Sequence, residues 1–78
     1  MTTILTAADF GAALVRARKG LELTQRELAL AAGVGERFIV ELEAGKSTAQ
    51  LGKALLVAQA AGMRLADLAE VASPASRP

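Results

Sequence analysis

Residues 23–46 read LTQRELALAAGVGERFIVELEAGK, and this stretch predicts two short helices joined by a tight turn. Thr24 can cap the first of them, and Glu27 follows three residues later to complete a capping box. Leu28 then lies on the buried side of that helix. Gly33 follows its last residue, at a position where a left-handed backbone conformation costs glycine least.

The second helix of this stretch carries one apolar stripe. Ile39 and Leu42 are three residues apart on it, and Val34 fills the corner between the two helices. Two helices with these features have the anatomy of a helix-turn-helix, whose second helix lies in the major groove of DNA. We therefore predict that residues 24–44 form a DNA-binding motif.

A first helix is predicted before the motif. Thr6 and Asp9 are three residues apart and offer it a cap, and Gly20 marks its end. One face of this helix carries Phe10, Leu14 and Arg18. The connection that follows contains two residues that we expect to fill the core, Leu21 and Leu23.

A fourth helix is predicted after the motif, from Thr48 to Ala61. Ser47 and Gln50 offer it a capping box, and Gly62 ends it. Its inner face is expected to carry Leu51, Leu55 and Ala58.

The rest of the chain divides into an arm, a short ambiguous segment and a tail. We expect an N-terminal arm at residues 1–5, the DNA-binding domain at residues 6–72, and a flexible tail with two prolines at residues 73–78. For residues 63–71 a helix and a short strand are both compatible with the pattern, and propensity modestly favours the helix. The predicted fold class is a compact all-α domain of four to five helices.

The composition argues against catalysis. The chain has no cysteine and no histidine, so a thiolate metal site, the commonest general base and the commonest metal ligand are all missing. No spacing of carboxylates makes a paired acid and base, and the glycines lack the Lys–Ser/Thr ending of a phosphate loop. We expect no enzyme activity, cofactor or metal. We also expect neither a signal peptide nor a membrane span, which predicts a cytoplasmic protein.

The charge balance is weak for a protein that binds nucleic acid. Nine basic and eight acidic residues give a net charge of +1, whereas a basic patch usually dominates such proteins. Any positive field must therefore come from the placement of the charges.

The candidate DNA contacts lie on the second motif helix and beside it. Subtraction of the apolar stripe leaves five side chains that point outward: Glu36, Arg37, Phe38, Val40 and Glu41. Arg37 is expected to bind a base, because its guanidinium matches the two acceptors of guanine in the major groove. Gln25, at a helix N-terminus, and Lys46, just past the second helix, are predicted to contact phosphates.

Several of these residues have a structural alternative. Glu36 can accept a hydrogen bond from a cytosine amino group, but Glu36 and Glu41 repel phosphates if they bind nothing. Phe38 can contact thymine methyl groups or help to fill the core, and the core is the preferred interpretation. Gln25 can simply occupy the first turn of its helix, and Arg37 can be a solvated side chain.

Arg18 and Glu43 are predicted to form a structural ion pair. Arg18 shares a face with Phe10 and Leu14, so its stem must lie along apolar surface, and Glu43 follows Leu42 at the far end of the second motif helix. A partly buried pair would tie the first helix to the third. Loss of one partner of such a pair can cost several kcal/mol.

The run from Arg18 to Lys46 resembles the Xre/Cro–C1 family of bacterial and phage DNA-binding domains. The matching residues are Leu23-Thr24-Gln25, Leu28-Ala29, Gly33-Val34, Ile39 and Leu42-Glu43-Ala44-Gly45-Lys46. Within that family, Gly35–Glu43 and Gly45–Lys53 are similar to HipB-like antitoxins. The resemblance covers about residues 6–65 and implies a lambda-repressor-like fold.

What the resemblance implies about function goes further than the residues themselves. It implies a homodimer that binds an inverted repeat in double-stranded DNA, with half-sites about one helical turn apart, and that often represses its own operon. In the family, the position of Gln25 contacts the DNA backbone, those of Glu36, Arg37 and Glu41 contact bases, and an Arg–Glu pair braces the core. HipB-like members also bind a HipA-type kinase toxin, and often place a short C-terminal strand at the dimer interface.

The chain departs from the family at three positions. Gly35 stands where Ser or Thr usually caps the second motif helix. Val40 is apolar where a polar contact residue is common. Ala44 replaces a frequent Arg or Asn, which removes one potential phosphate contact.

The leading hypothesis is an antitoxin-like, autorepressing transcriptional regulator of a toxin–antitoxin operon. The first alternative is a stand-alone repressor without a toxin. The second is a protein-interaction module that keeps the fold but has weak DNA affinity, which the low net charge and the Glu36 and Glu41 carboxylates favour. This last alternative predicts no salt-dependent binding to any duplex.

Overall fold

A computed structural model describes residue 4 and residues 6–64 of the chain. Within this part of the chain there are four α-helices and no strand: α1 Ala7–Gly20, α2 Gln25–Ala32, α3 Glu36–Glu43 and α4 Leu51–Ala60. The all-α fold class is confirmed. The predicted arm at residues 1–5 (except Ile4) and the tail at residues 73–78 lie outside the described residues. Of residues 63–71, for which the sequence leaves helix and strand both open, 63 and 64 are in neither element and 65–71 lie outside the described residues.

Capping boxes start α1 and α2, where the sequence predicts a cap at Thr6 and a capping box at Thr24. The Thr6 hydroxyl accepts from the Asp9 amide at 3.0 Å, and the Asp9 carboxylate accepts from the Thr6 amide at 3.2 Å. Thr24 and Glu27 repeat this exchange at 3.0 and 2.8 Å. Each hydroxyl satisfies an amide that has no partner inside its helix, which is worth about 1 kcal/mol.

The turn of the motif also follows its sequence. Gly33 ends α2 in the left-handed conformation, with φ of 74°. Gly35 then precedes α3, and no side chain caps that helix. The motif helices span Gln25–Glu43 with Thr24 and Ala44 as caps, which confirms the predicted extent of 24–44.

Each helix contributes one large, fully buried side chain to the core: Leu14, Leu28, Ile39 and Val57. The helix α4 packs against α2, and several small residues of these two helices are buried, among them Ala29, Ala54 and Ala58. The helix α3 contacts both α1 and α2. Its inner side is therefore used by the core, and its outer side is left to other contacts.

The predicted start of α4 is wrong by three residues. The helix begins at Leu51, after Gln50, and its first turn has no side-chain cap. Residues 47–49 form turns instead, so the expected capping box between Ser47 and Gln50 does not exist. These residues connect the end of α3 to α4, which packs against α2.

The predicted inner face of α4 needs a correction as well. Leu51 is 71% exposed. The side of α4 that packs closely against the core carries mostly small side chains, and Leu51 is not on that side. The buried stripe is Ala54, Val57, Ala58 and Ala61, whereas Leu55 is only half-buried.

Leu21 is exposed rather than buried in the core. It lies in the turn that ends α1, and the next residue, Glu22, takes the left-handed φ of 59°. This turn directs Leu23, not Leu21, against the core. The expectation for Leu23 is confirmed, and that for Leu21 is wrong.

Gly11 allows α1 to cross the end of α3 at very short range. A Cβ atom at this position would lie 2.5 Å from the carbonyl oxygen of Leu42 and 2.7 Å from that of Glu43. Backbone atoms cannot move aside as a flexible side chain can. The contact between α1 and α3 therefore requires glycine at position 11.

We expect Gly11→Ala to lower the free energy of unfolding by about 1–3 kcal/mol, the usual effect of overpacking. The control is Gly52→Ala in the first turn of α4, where an added Cβ would meet nothing within 4 Å. Helix propensity alone favours alanine in both variants, by up to about 1 kcal/mol. Urea unfolding, followed by circular dichroism, measures the free energy of unfolding of both variants. Equal stabilisation by both substitutions would show that α1 and α3 do not meet at Gly11.

Candidate nucleic-acid interface

A forked ion pair holds the C-terminal end of α3. The Arg18 Nε atom donates to Glu43 Oε2 at 2.6 Å, and Arg18 Nη2 donates to Glu43 Oε1 at 3.1 Å. The two side chains are only 12% and 7% exposed. Paired N–H···O bonds are the geometry that fits a guanidinium to a carboxylate. The pair joins α1 to α3, at the positions singled out from the sequence.

Two more segments are bound to this ion pair. Arg18 Nη1 donates to the backbone carbonyl of Leu23 at 2.8 Å, and Gln25 Nε2 donates to Glu43 Oε1 at 2.9 Å. We call these four residues the Glu43 cluster. No buried side-chain nitrogen or oxygen atom lacks a partner among the residues that the structure describes. The cluster therefore fixes α1, the connection, α2 and α3 together without an unsatisfied polar group.

Both members of the ion pair are charged at neutral pH. Burial of the Glu43 carboxyl works against ionisation, but the hydrogen bonds from Arg18 and Gln25 outweigh it and lower the pKa of Glu43. The hydrogen bond to Glu43 raises the pKa of Arg18, although burial opposes that shift too.

The outer face of α3 is formed by Glu36, Arg37, Val40 and Glu41, which together line a shallow depression. The Arg37 side chain is 91% exposed on this face. None of the four is part of the buried core. An exposed helix face with charged side chains has the shape and polarity to enter the major groove of DNA.

Glu41 holds two cations beside this face. Its carboxylate accepts from Lys46 Nζ at 3.2 Å and from Arg37 Nε at 3.4 Å. The hydrogen bond from Lys46, and then that from Arg37, lower the pKa of Glu41. Ion pairs at exposed positions contribute little. Arg37 and Lys46 can therefore exchange this partner for a base or a phosphate.

The other predicted contacts are placed differently. The Gln25 amide binds Glu43, which leaves its second amide hydrogen and its carbonyl oxygen for another partner. Phe38 is half-buried and packs against the core, with Lys53 Nζ 5.8 Å from the centre of its ring. Phe38 therefore belongs with the core, which is the interpretation preferred from the sequence, and we do not retain it as a DNA contact.

One exposed cation was missed in the sequence. Arg26 follows Gln25 in the first turn of α2 and is exposed. Its charge and its place beside a predicted phosphate contact were the available signals. Arg26, Arg37 and Lys46 thus supply positive charge at the motif, which offsets part of its acidic content.

The described part of the chain contains no group of three or more acidic, cysteine or histidine side chains that could hold a metal ion. None of the helices α1–α4 is long and apolar enough to cross a membrane.

Comparison with known proteins identifies the motif independently. The sequence pattern of the helix-turn-helix family matches residues 14–68. An uncharacterized HTH-type transcriptional regulator, y4mF of Sinorhizobium fredii (strain NBRC 101917 / NGR234), is 56% identical over 66 residues, which cover 85% of this chain and 87% of that protein. No solved structure matches the chain.

Loss of the Glu43 carboxylate is expected to destabilise the fold in a pH-dependent way. Glu43→Ala should lower the melting temperature, and Glu43→Gln should lower the free energy of unfolding at neutral pH by about 2–3 kcal/mol, because Arg18 loses a buried partner. Since the pKa of Glu43 is lowered, its contribution is complete above the ordinary carboxyl pKa of about 4.3 and is lost as the pH falls through the folded-state value.

The stability difference between the wild type and Glu43→Gln should therefore shrink in acid unfolding series that extend below pH of about 4. Glu36→Gln makes the same exchange on the exposed face and is the control, with a small effect expected throughout. An unchanged melting temperature for Glu43→Ala, or a difference that is constant with pH, would contradict the role of the Glu43 cluster.

Proposed function

The chain belongs to the helix-turn-helix family, and we propose that it is a sequence-specific DNA-binding transcriptional regulator and not an enzyme. The observation that carries this proposal is the outer face of α3. Its four side chains stand outside the core, on a helix whose C-terminal end is held by the Glu43 cluster. A helix held in place before binding loses less freedom when it meets DNA.

The roles of the individual residues follow from their chemistry. Arg37 donates two hydrogen bonds to guanine in the major groove, and Glu36 and Glu41 accept from the amino groups of cytosine or adenine. Lys46, Gln25 and the newly recognised Arg26 contact phosphates, which position the protein without reading sequence. With few cations at the motif, we expect few phosphate contacts and a shallow dependence of affinity on salt.

We propose that the regulator acts as a homodimer on an inverted repeat, with half-sites about 34 Å apart. An apolar groove of about 410 Å³ supports a protein interface on this chain. Its walls include Phe10, Leu51, Leu55 and Met63. Leu51 is 71% exposed there, and a domain of this size gains stability when such surface is covered.

The finer proposal is an antitoxin-like repressor of its own operon, which binds a HipA-type kinase toxin in the cytoplasm. Its support is the similarity of Gly35–Glu43 and Gly45–Lys53 to HipB-like proteins. The test is co-expression with a kinase encoded beside the gene. Co-purification of the two, and growth arrest by the kinase alone, are expected. Failure of either result leaves a stand-alone repressor.

A protein-interaction module with weak DNA affinity is the second candidate. The observation that favours it is the pair of carboxylates, Glu36 and Glu41, on the face that would meet DNA. This function predicts the same weak binding to every duplex.

We expect tight binding to DNA from upstream of the gene, with a shallow but measurable salt dependence, when a labelled duplex is followed by fluorescence anisotropy. Arg37→Ala should weaken that binding by about 1–3 kcal/mol and relax the preference over a scrambled duplex. Lys46→Ala, the matched control, should weaken binding to both duplexes alike and reduce the salt slope by about 1. Equal, weak binding of both duplexes by the wild type and Arg37→Ala would favour the protein-interaction module instead.

A further inference from the structure

Val40 is an apolar side chain on an otherwise charged face. It is 44% exposed, although Ile39 beside it is completely buried. The other three residues that line the same depression are charged: Glu36, Arg37 and Glu41. The core does not use Val40, which therefore presents an apolar group among charges on this face.

The chemistry of the neighbours restricts what that partner can be. A second protein that covered Val40 would have to desolvate Arg37 and Glu36, which is costly unless each charge is paired. The major groove of DNA presents a different surface, in which one apolar group, the C5-methyl of thymine, stands among hydrogen-bond donors and acceptors. This mixture matches the outer face of α3.

We propose that Val40 is a specificity-determining residue that contacts the C5-methyl group of a thymine in each half-site. The inference rests on the proposed function, because it names the base that Val40 recognises on the same outer face of α3. It also gives a positive role to the position at which this chain has an apolar residue in place of a polar one.

The helix geometry fixes where that thymine lies. Arg37 and Val40 are three residues apart, so their Cα atoms differ by about 4.5 Å along the helix axis, whereas base pairs are stacked about 3.4 Å apart. We therefore place the thymine within two base pairs of the guanine that Arg37 binds.

The test removes the methyl group from the DNA and its partner from the protein. The wild type first selects duplexes from a randomised library. Each thymine of the selected duplex is then replaced by deoxyuridine, which lacks only the C5-methyl group. At one thymine per half-site, we expect this change to weaken wild-type binding by about fourfold, the factor for burial of one methyl-sized group.

Two variants assign the effect to Val40. Val40→Ala alters both subunits of the homodimer, so it should bind the thymine duplex about sixteenfold more weakly than the wild type does, about fourfold for each half-site. Its salt slope should be unchanged, and it should not distinguish thymine from deoxyuridine. Leu56→Ala removes an apolar side chain that is 52% exposed on α4. This control should keep the full sensitivity of the wild type.

The outcomes separate the inference from the function on which it rests. In one outcome, the wild type selects a specific duplex in which no single deoxyuridine replacement weakens wild-type binding more than it weakens binding by Val40→Ala. That result overturns the role of Val40 and leaves DNA binding intact. Failure to select any duplex overturns the proposed function, and the inference with it.

Discussion

The carboxylate of Glu43 is the point on which the arrangement of the motif depends. It accepts hydrogen bonds from Arg18 in α1 and Gln25 in α2, while Arg18 also holds the backbone of Leu23. Because these partners come from three segments, they fix the direction of α3 relative to α1 and α2. A buried ion pair of this kind adds little net stability. Its value here lies in presenting the outer face of α3 in one orientation.

Close backbone packing is the second requirement, and it operates at the same crossing. Gly11 brings α1 within contact distance of the carbonyl groups of Leu42 and Glu43. Arg18 can reach Glu43 in a forked geometry only if α1 lies this near to the end of α3. The glycine and the ion pair therefore support each other, and the orientation of the outer face of α3 depends on contacts at the C-terminal end of that helix.

The features predicted correctly from the sequence are mostly local. The capping box of Thr24 and Glu27 and the turn at Gly33 depend on residues a few positions apart, so their spacing is visible in the chain. Among the features set by tertiary packing, the sequence indicates the pair of Arg18 and Glu43, but not the start of α4 or the role of Gly11. Ser47 resembles a cap, but the path of the chain to α4 determines where that helix begins. In the sequence, Gly11 looks like a residue that only weakens α1, because its contact with the backbone of α3 is not visible there.

At the candidate site, the charged outer face could be predicted, because it is what remains of α3 once the buried stripe is subtracted. The hydrogen bond between Gln25 and Glu43 could not be predicted, because the two residues have no periodic relation in the sequence.

The most direct measurement is a map of backbone amide chemical shifts while a duplex from upstream of the gene is titrated into the labelled protein. If α3 enters the major groove as the Glu43 cluster orients it, the largest changes fall on residues 36–41 and on the first turn of α2. Smaller changes are expected in α4. Changes confined to the apolar groove around Leu51 and Met63, or no changes at all, would contradict the assignment of the outer face of α3 to DNA.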